Sequence, residues 1–143
     1  MQVDLTYLVS LKDIDEFLNS FENHSPFSLK NEYKNFTKKC CFSSIQKAEE
    51  NLAKEIKVSI EKYGYDTIYK IDNSKVAIVK LRIRDESSNR GKSGGWRIIG
   101  LIDNFELLFI LLSIYNHSSG KDDITPNEKK ALREMCIEYS RSK

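Results

Sequence analysis

The chain lacks the features that mark membrane-spanning and secreted proteins. None of its apolar runs reaches the ~18 residues that a membrane span needs. The opening stretch, MQVDLTYLVSLKDIDEF, has no basic segment before an apolar one and acquires acids early, so we expect no signal peptide. The three cysteines, Cys40, Cys41 and Cys136, form no disulfide framework. Together these absences predict reduced thiols in a cytoplasmic protein that does not contact a membrane.

Motifs for metal and cofactor binding are also absent from the sequence. The adjacent Cys40 and Cys41 lack the spacer that separates paired zinc-binding cysteines. No G-x-G-x-x-G fingerprint of a dinucleotide-binding fold occurs. The stretch NRGKSGGWR, residues 89–97, contains the Gly-Lys-Ser of a phosphate-binding P-loop, but Glu86 stands where the first P-loop glycine is required. A strand rather than a helix is also predicted to follow it. We therefore expect no metal and no cofactor.

What the chain does contain is an ordinary globular composition, with 40% apolar and 31% charged residues. Its length of 143 residues fits one domain with a sizeable core. No internal repeat or low-complexity linker divides it. We therefore predict a single domain over residues 1–143, mainly helical over 1–63 and composed of a sheet and a C-terminal helix over 64–143.

The N-terminal half is predicted to be helical from its apolar spacing. Apolar residues recur at intervals of three and four over residues 43–63, with a serine at the start as the cap and Gly64 as the terminator. A shorter helix is predicted over 11–21. The pattern over 27–40 is ambiguous and suggests another short helix.

The hydrophobic period then changes from that of a helix to that of a strand. Residues 76–84 alternate between two faces, and a second strand is predicted over 96–103. Asp103 and Asn104 both tolerate positive φ and predict a tight turn. The third strand, 106–115, is apolar on both faces, so we expect it to be central in the sheet and buried on both sides.

The C-terminal helix has a clear start signal in Thr125-Pro126-Asn127-Glu128. Thr125 is predicted to be the cap, Pro126 the first helical residue and Glu128 the glutamate of a capping box. Helices, an antiparallel sheet and a final helix follow one another along the chain. This order predicts an α+β fold rather than the alternating βαβ units of a nucleotide-binding α/β fold.

Positive charge is concentrated in one segment of a nearly neutral chain. The net charge is +2, but residues 75–97 hold seven Lys and Arg against two acids, a net of +5, so the other 120 residues carry −3. Such a local excess indicates a patch with a polyanionic partner, although a solvated strand face would have the same composition.

The cations of this segment are predicted to share one face of a hairpin. Lys80, Arg82 and Arg84 alternate along one face of the first strand, and Arg97 begins the second strand. We expect Arg82 and Arg97 to hold a phosphate through bidentate hydrogen bonds.

The loop between these two strands adds two further cations to this face. Arg90 and Lys92 lie on that loop, where they are expected to converge with the strand cations on one concave face together with Arg84. Trp96 stands beside these arginines, where an aromatic ring suits the stacking of a nucleobase. Core packing is an equally valid role for Trp96.

The remaining candidate chemistry is acid–base catalysis on a phosphodiester. Cleavage of RNA needs a base for the 2′-hydroxyl, cations for the charge that develops on phosphorus, and an acid for the leaving 5′-oxygen. His117, just beyond the third strand, or Lys80 is a candidate for proton transfer, and Tyr115 is placed to assist. No metal is required. A surface histidine without a role is the alternative for His117.

Four segments carry a resemblance to a known family, in the order Lys80-Leu81-Arg82, then Gly91-Lys92-Ser93-Gly94-Gly95-Trp96-Arg97, then Leu112-Ser113-Ile114-Tyr115, then Asp122-Asp123-Ile124-Thr125-Pro126-Asn127-Glu128. Together they resemble the RelE/ParE superfamily of bacterial type II toxins, and its HigB-like branch in particular. The resemblance covers roughly residues 64–140. It implies a RelE-like fold, in which helices pack on a small twisted antiparallel sheet.

The resemblance also implies an activity and a set of partners. Many members of the superfamily are ribosome-dependent endoribonucleases, or mRNA interferases, which block translation by cutting mRNA on the ribosome. A cognate antitoxin, expected to be a helix-turn-helix protein, masks the toxin. Operator DNA is expected to be contacted only through the toxin–antitoxin complex.

The implied site residues coincide with those chosen from the strand pattern. Lys80 and Arg82 match the basic residues before the loop, Arg97 matches the arginine of the glycine-aromatic-arginine motif, and His117 falls near the catalytic positions after the last strand. Members similar to ParE inhibit DNA gyrase instead of cutting RNA, which is the first alternative function. A catalytically inactive partner that only regulates transcription is the second.

Overall fold

The computed structural model describes residues 4–22, 24–83, 95–116 and 123–142. Within these ranges the chain forms four helices and five strands in an α+β arrangement. They are β1 (Thr6–Leu8), α1 (Leu11–Leu18), α2 (Leu29–Lys39), α3 (Ile45–Tyr63), β2 (Asp66–Lys70), β3 (Val76–Ile83), β4 (Trp96–Asp103), β5 (Leu108–Asn116) and α4 (Pro126–Arg141).

The strands form one sheet in the order β1-β5-β4-β3-β2. The prediction of an antiparallel sheet is wrong at one edge, because the short strand β1 pairs parallel to β5, while the other neighbours are antiparallel. The sheet is therefore mixed. Neither β1 nor β2 was predicted from the hydrophobic pattern, whereas β3, β4 and β5 confirm the three predicted strands with small shifts at their ends.

The middle position of the sheet belongs to β4 and not to β5. All eight residues of β4 are buried, including Arg97 and Asp103, which shows that both faces of the sheet are covered there. The third predicted strand, β5, is buried on both faces as expected, but it lies between β4 and β1 and is not central. The expectation of a central position for this strand is therefore wrong.

Helices cover the two faces of the sheet. The face that carries Trp96 lies against α2, because the Phe36 ring meets the Trp96 ring edge-on at 4.9 Å between centroids. The opposite face lies against α4, where the Tyr139 hydroxyl donates a 2.6 Å hydrogen bond to Asp103 Oδ2. The Phe17 ring of α1 contacts Tyr139 at 5.7 Å, which places α1 beside α4. None of the helices in the described ranges is both long enough and apolar enough to cross a bilayer.

Side-chain caps define the ends of the helices. Ser44 Oγ accepts a hydrogen bond from Lys47 N at the start of α3, and Gly64 ends that helix with φ of 73°, a left-handed value that glycine adopts without strain. At α4 the predicted capping box is confirmed, since Thr125 Oγ1 accepts from Glu128 N and the Glu128 carboxylate accepts from Thr125 N.

The turn between β4 and β5 differs from the predicted one. Residues 104–107 form the turn, and the residue with positive φ is Leu107 at 58°, not Asp103 or Asn104. Asp103 stabilises the turn through its side chain, because Oδ1 accepts hydrogen bonds from the backbone N–H groups of Phe105 and Glu106. Asp103 therefore favours the turn, as the sequence predicted, but it does so by accepting hydrogen bonds and not by adopting positive φ.

A carboxylate from α2 closes part of the open edge of β5. In the described part of the chain, β1 pairs with β5 only from Leu108 to Ile110. Beyond that point Glu32 accepts a hydrogen bond from Ile114 N at 3.2 Å and from Ser113 Oγ at 2.9 Å. Glu32 thus supplies a hydrogen-bond acceptor where a neighbouring strand would otherwise supply a backbone carbonyl group.

Gly100 in β4 is required by the close approach of β5. The β4–β5 register shifts at Gly100, and a Cβ atom added there would lie 2.6 Å from Phe109 Cε2 and 2.9 Å from the Ile110 carbonyl oxygen. We expect Gly100→Ala to lower the free energy of unfolding by about 2 kcal/mol, because the added methyl group would overlap both the fully buried Phe109 ring and the Ile110 carbonyl oxygen. Urea unfolding monitored by circular dichroism measures this loss.

Gly95→Ala is the matched control for this prediction. A Cβ at Gly95 would meet only the Ile83 carbonyl oxygen, at an ordinary 3.6 Å. We expect its effect to stay within about 0.5 kcal/mol. Equal losses for the two variants would show that contact with Phe109 does not limit position 100.

Candidate functional site

Strand register places three predicted site residues in one row. Arg82 of β3 lies opposite Arg97 of β4, and Arg97 lies opposite Tyr115 of β5. Residues that face each other across antiparallel strands project their side chains on the same side of the sheet. Lys80 is two residues before Arg82 and therefore shares this side. We call these four residues, the three cations Lys80, Arg82 and Arg97 together with Tyr115, the cationic row.

The cationic row lies on the face covered by α4, near the start of that helix. The Lys80 ammonium is 3.3 Å from Asp123 Oδ1, just ahead of the helix. At the far end of the helix, Tyr139 is bonded to Asp103 at the other end of β4. The helix therefore runs along the sheet from the cationic row toward the β4–β5 turn.

Arg97 is the buried centre of the row. It is only 6% exposed, and its Nε has no hydrogen-bond partner within the described ranges. A guanidinium keeps its charge in a protein, so an unpartnered donor in a dry position lowers stability by roughly 1–3 kcal/mol. Such a group is suited to bind an anion, because an anionic oxygen supplies the missing acceptor.

Tyr115 is held in its neutral form beside Arg97. Burial first, and then the carboxylates of Asp123, Glu128 and Glu32, raise the pKa of Tyr115 to about 12 against the opposing effect of Arg97. The hydroxyl therefore stays protonated at physiological pH. In this state it can donate a proton or a hydrogen bond, but it cannot act as a base.

Asp123 connects the segment before α4 to the cationic row. The pKa of Asp123 is lowered, first by the hydrogen bond from Ile124 N at 2.8 Å and then by the Lys80 ammonium. Lys80 is mostly buried at this contact, whereas the Asp123 side chain is 58% exposed. The ion pair is therefore partly screened by water and can exchange for another anion at Lys80.

Arg82 is the exposed member of the row and is anchored through its backbone. Its side chain is open to solvent, while its carbonyl oxygen accepts a 3.0 Å hydrogen bond from Ser59 Oγ of α3. Ser59 is buried, so this bond ties the outer end of β3 to α3. The Arg82 side chain therefore reaches solvent from a backbone position that is hydrogen-bonded to α3.

Trp96 lies in the core. Its ring is 1% exposed and packs edge-on against Phe36, and its Nε1 has no hydrogen-bond partner in the described part of the chain. The burial matches the core-packing alternative for this residue. In this conformation the ring offers no free face on which a base could stack.

Four predicted site residues lie outside the described residues, which exclude 84–94 and 117–122. They are Arg84, Arg90, Lys92 and His117. Their RNA-binding roles, and the acid or base role of His117, stay predictions. The described members that the fold does bring together are Lys80, Arg82, Arg97 and Tyr115.

Two residues of the site were not selected from the sequence. Asp123 was part of the acidic stretch before α4, but nothing in the pattern indicated that it would meet Lys80, 43 positions away. Ser59 interrupts the apolar stripe of α3, and a serine at a buried helical position is the signal that could have indicated its bond to the sheet.

Thiols and carboxylates do not form a metal site in the described ranges, where no group of three or more His, Cys, Asp or Glu could hold an ion. Cys40, Cys41 and Cys136 form no disulfide bond with one another, and burial raises the pKa of Cys136 to about 11. No family model, curated protein or solved structure matches this chain. Its function must therefore be argued from the chemistry of the cationic row.

The raised pKa of Tyr115 predicts how stability depends on alkaline pH. The neutral hydroxyl is favoured in the folded state, so its contribution is complete below pH 10, the unfolded value, and is lost as pH rises toward about 12. Between pH 10 and 11 this loss amounts to about 1 kcal/mol. We expect Tyr115→Phe to lose correspondingly less stability over that interval, measured from urea unfolding at each pH.

Tyr63→Phe is the control, because Tyr63 is 74% exposed and its hydroxyl does not lie in the core. Its alkaline loss should match that of the wild type. If Tyr115→Phe loses as much stability between pH 10 and 11 as the wild type and Tyr63→Phe do, the Tyr115 hydroxyl is not held neutral by burial.

Proposed function

We propose that this chain is the toxin of a bacterial type II toxin–antitoxin system, with a RelE-like fold, and that it acts as a ribosome-dependent mRNA endonuclease in the cytoplasm. The observation that carries the proposal is the buried Arg97, whose Nε has no partner in the described part of the chain and which lies in register between Arg82 and Tyr115. An RNA phosphate would supply the acceptor that Arg97 lacks.

Each member of the cationic row has a distinct role in this proposal. Arg97 and Arg82 bind two oxygens of the scissile phosphate and stabilise the negative charge that develops there during cleavage. Arg97 is pre-organised by burial, whereas Arg82 adjusts from the solvent side. Lys80 adds a third positive charge once its contact with Asp123 is exchanged for the phosphate.

Proton transfer is divided between Tyr115 and His117. Tyr115 is protonated at physiological pH, so it can donate its proton to the leaving 5′-oxygen, which as an alkoxide is the stronger base. A neutral histidine is suited to accept the proton of the attacking 2′-hydroxyl, and His117 follows β5 directly after Asn116. The 2′-oxygen attacks phosphorus while the bond to the 5′-oxygen breaks. Because His117 takes up one proton and Tyr115 gives up one, the proton balance of the cleavage needs no metal ion.

The proposed partners are those that the resemblance to the RelE/ParE superfamily implies. The ribosome presents mRNA to the cationic row, and a cognate antitoxin of the helix-turn-helix type masks the toxin. The antitoxin complex, rather than this chain alone, contacts operator DNA. Because a fold of this type also supports inhibition of gyrase, the cleavage assay is paired with a supercoiling assay.

The activity is tested by primer extension on mRNA after induction of the protein. We expect codon-framed cuts for the wild type and a fall of at least about a hundredfold in cutting for the double variant Arg82→Ala, Arg97→Ala, since both stabilise the same developing charge. Arg97→Lys keeps the buried charge but not the bidentate geometry, and it should retain only part of the activity.

Arg133→Ala is the matched control, because Arg133 is an exposed arginine of α4 outside the cationic row. Circular dichroism of every variant separates loss of the site from loss of the fold. Cuts that persist in the folded double variant would overturn the site assignment. Absence of wild-type cuts together with blocked supercoiling would favour the gyrase inhibitor, and absence of both effects would favour the inactive regulatory partner.

A further inference from the structure

A pocket opens beside the cationic row where the pairing of β2 ends. The last β2–β3 pair at this end is Asp66 with Lys80, whereas β3 continues to Ile83 and β4 pairs with it to that point. The edge of β3 beyond its pairing with β2, the start of β2 and the C-terminal end of α3 line this open pocket of about 370 Å³. This volume lies within the usual range for small-molecule sites.

The chemistry of the pocket wall is unlike that of an ordinary surface depression. Lys80 and Arg82 line one side, so the pocket is continuous with the cationic row. Asp66 contributes an exposed carboxylate, and Tyr63 contributes a ring that is 74% exposed at the end of α3. Cations, an aromatic ring and an acceptor thus meet at one site. A nucleotide can use all three, with the cations binding the phosphate, the ring stacking on the base face and the acceptor binding the base edge.

Tyr63 is the aromatic residue of this wall that is available to a ligand. Tyr65 also lines the pocket, but its hydroxyl accepts a hydrogen bond from Asn104 Nδ2 at 3.3 Å, which directs it toward the β4–β5 turn. An exposed large hydrophobic ring on a helix end loses solvent contact when a base stacks on it. Stacking on one aromatic ring strengthens the binding of a base roughly 5- to 150-fold.

We propose that this pocket is a nucleobase subsite, which stacks one base of the bound RNA on Tyr63 while Lys80 and Arg82 hold the adjacent phosphate. The identification of the ligand as RNA rests on the proposed function, whereas the pocket itself is defined by the described residues alone. Asp66 is then a specificity-determining residue, because it is the acidic side chain that lines the pocket.

The Asp66 carboxylate predicts which base is preferred. An ionised carboxylate only accepts hydrogen bonds, through two oxygens side by side. Guanine offers two adjacent donors on its Watson–Crick edge, N1–H and the exocyclic amino group, so it matches both oxygens. Adenine and cytosine each offer one amino group beside an acceptor, and uracil offers one N–H between two carbonyls. The subsite therefore favours guanine and disfavours uracil.

Binding is measured independently of cleavage by titrating the isotope-labelled protein with mononucleotides and following backbone amide signals. We expect GMP to bind at least about tenfold more tightly than ribose 5-phosphate and more tightly than UMP. The signals that shift should include those of Gly64, Asp66 and Leu81, which line the pocket. Inorganic phosphate serves as the probe for the cations alone.

Two variants distinguish the contribution of stacking on the base face from that of hydrogen bonding to the base edge. Tyr63→Leu should bring the affinity for UMP close to that of ribose 5-phosphate and weaken GMP binding, while GMP stays favoured over UMP through Asp66. Asp66→Asn should remove the preference for GMP over UMP while preserving the effect of stacking. Val58→Ala is the matched control, since Val58 is exposed on the same helix but does not line the pocket; its affinities should equal those of the wild type.

The outcomes for the subsite and for the nuclease are distinguishable. Equal affinity of the wild type for GMP and ribose 5-phosphate, or shifts confined to residues away from the pocket, would overturn the subsite even if mRNA is cut. Selective GMP binding that depends on Tyr63 and Asp66 would establish the subsite. If mRNA is then not cut, the proposed nuclease activity fails while the nucleotide site stands.

Discussion

The continuous pairing of β3 with β4 is the constraint on which the rest of the structure depends. Eight consecutive residue pairs run from Val76 opposite Asp103 to Ile83 opposite Trp96 without a shift. A slip by one residue would move every side chain to the other face of the sheet. Arg97 would then leave Arg82 and enter the apolar layer beneath α2. The same register that buries the core therefore also assembles the cationic row.

Helix α4 connects the two ends of this hairpin. The segment before it meets Lys80 through Asp123, and Tyr139 near its end meets Asp103. The first contact is partly exposed and screened, whereas the second is buried and charge-assisted, so the two differ in strength. The helix is consequently held firmly at the turn and more weakly at the site. A site whose ion pair is exchangeable can admit an anionic ligand without disturbing the core.

Local patterns predicted the parts of the fold that depend on local physics. Alternation in 76–84 correctly assigned Lys80 and Arg82 to one face, and Thr125 with Glu128 correctly predicted the start of α4, because period and capping involve neighbouring residues. The strand β1 was missed because three residues cannot establish a period, and its parallel pairing with β5 joins distant segments. The burial of Arg97 likewise depends on long-range packing, which no local pattern contains.

The carboxylate of Glu32 affects how readily strand β5 can pair with a strand of another copy of this chain. The strand β5, rich in leucine and isoleucine, has an edge that β1 covers only in part, and such an edge invites pairing with a strand from another molecule. An incoming strand would first have to break the hydrogen bonds that Glu32 accepts from Ile114 and Ser113. One acidic side chain thus lets the sheet keep an apolar strand next to Arg97 while discouraging the growth of intermolecular sheets.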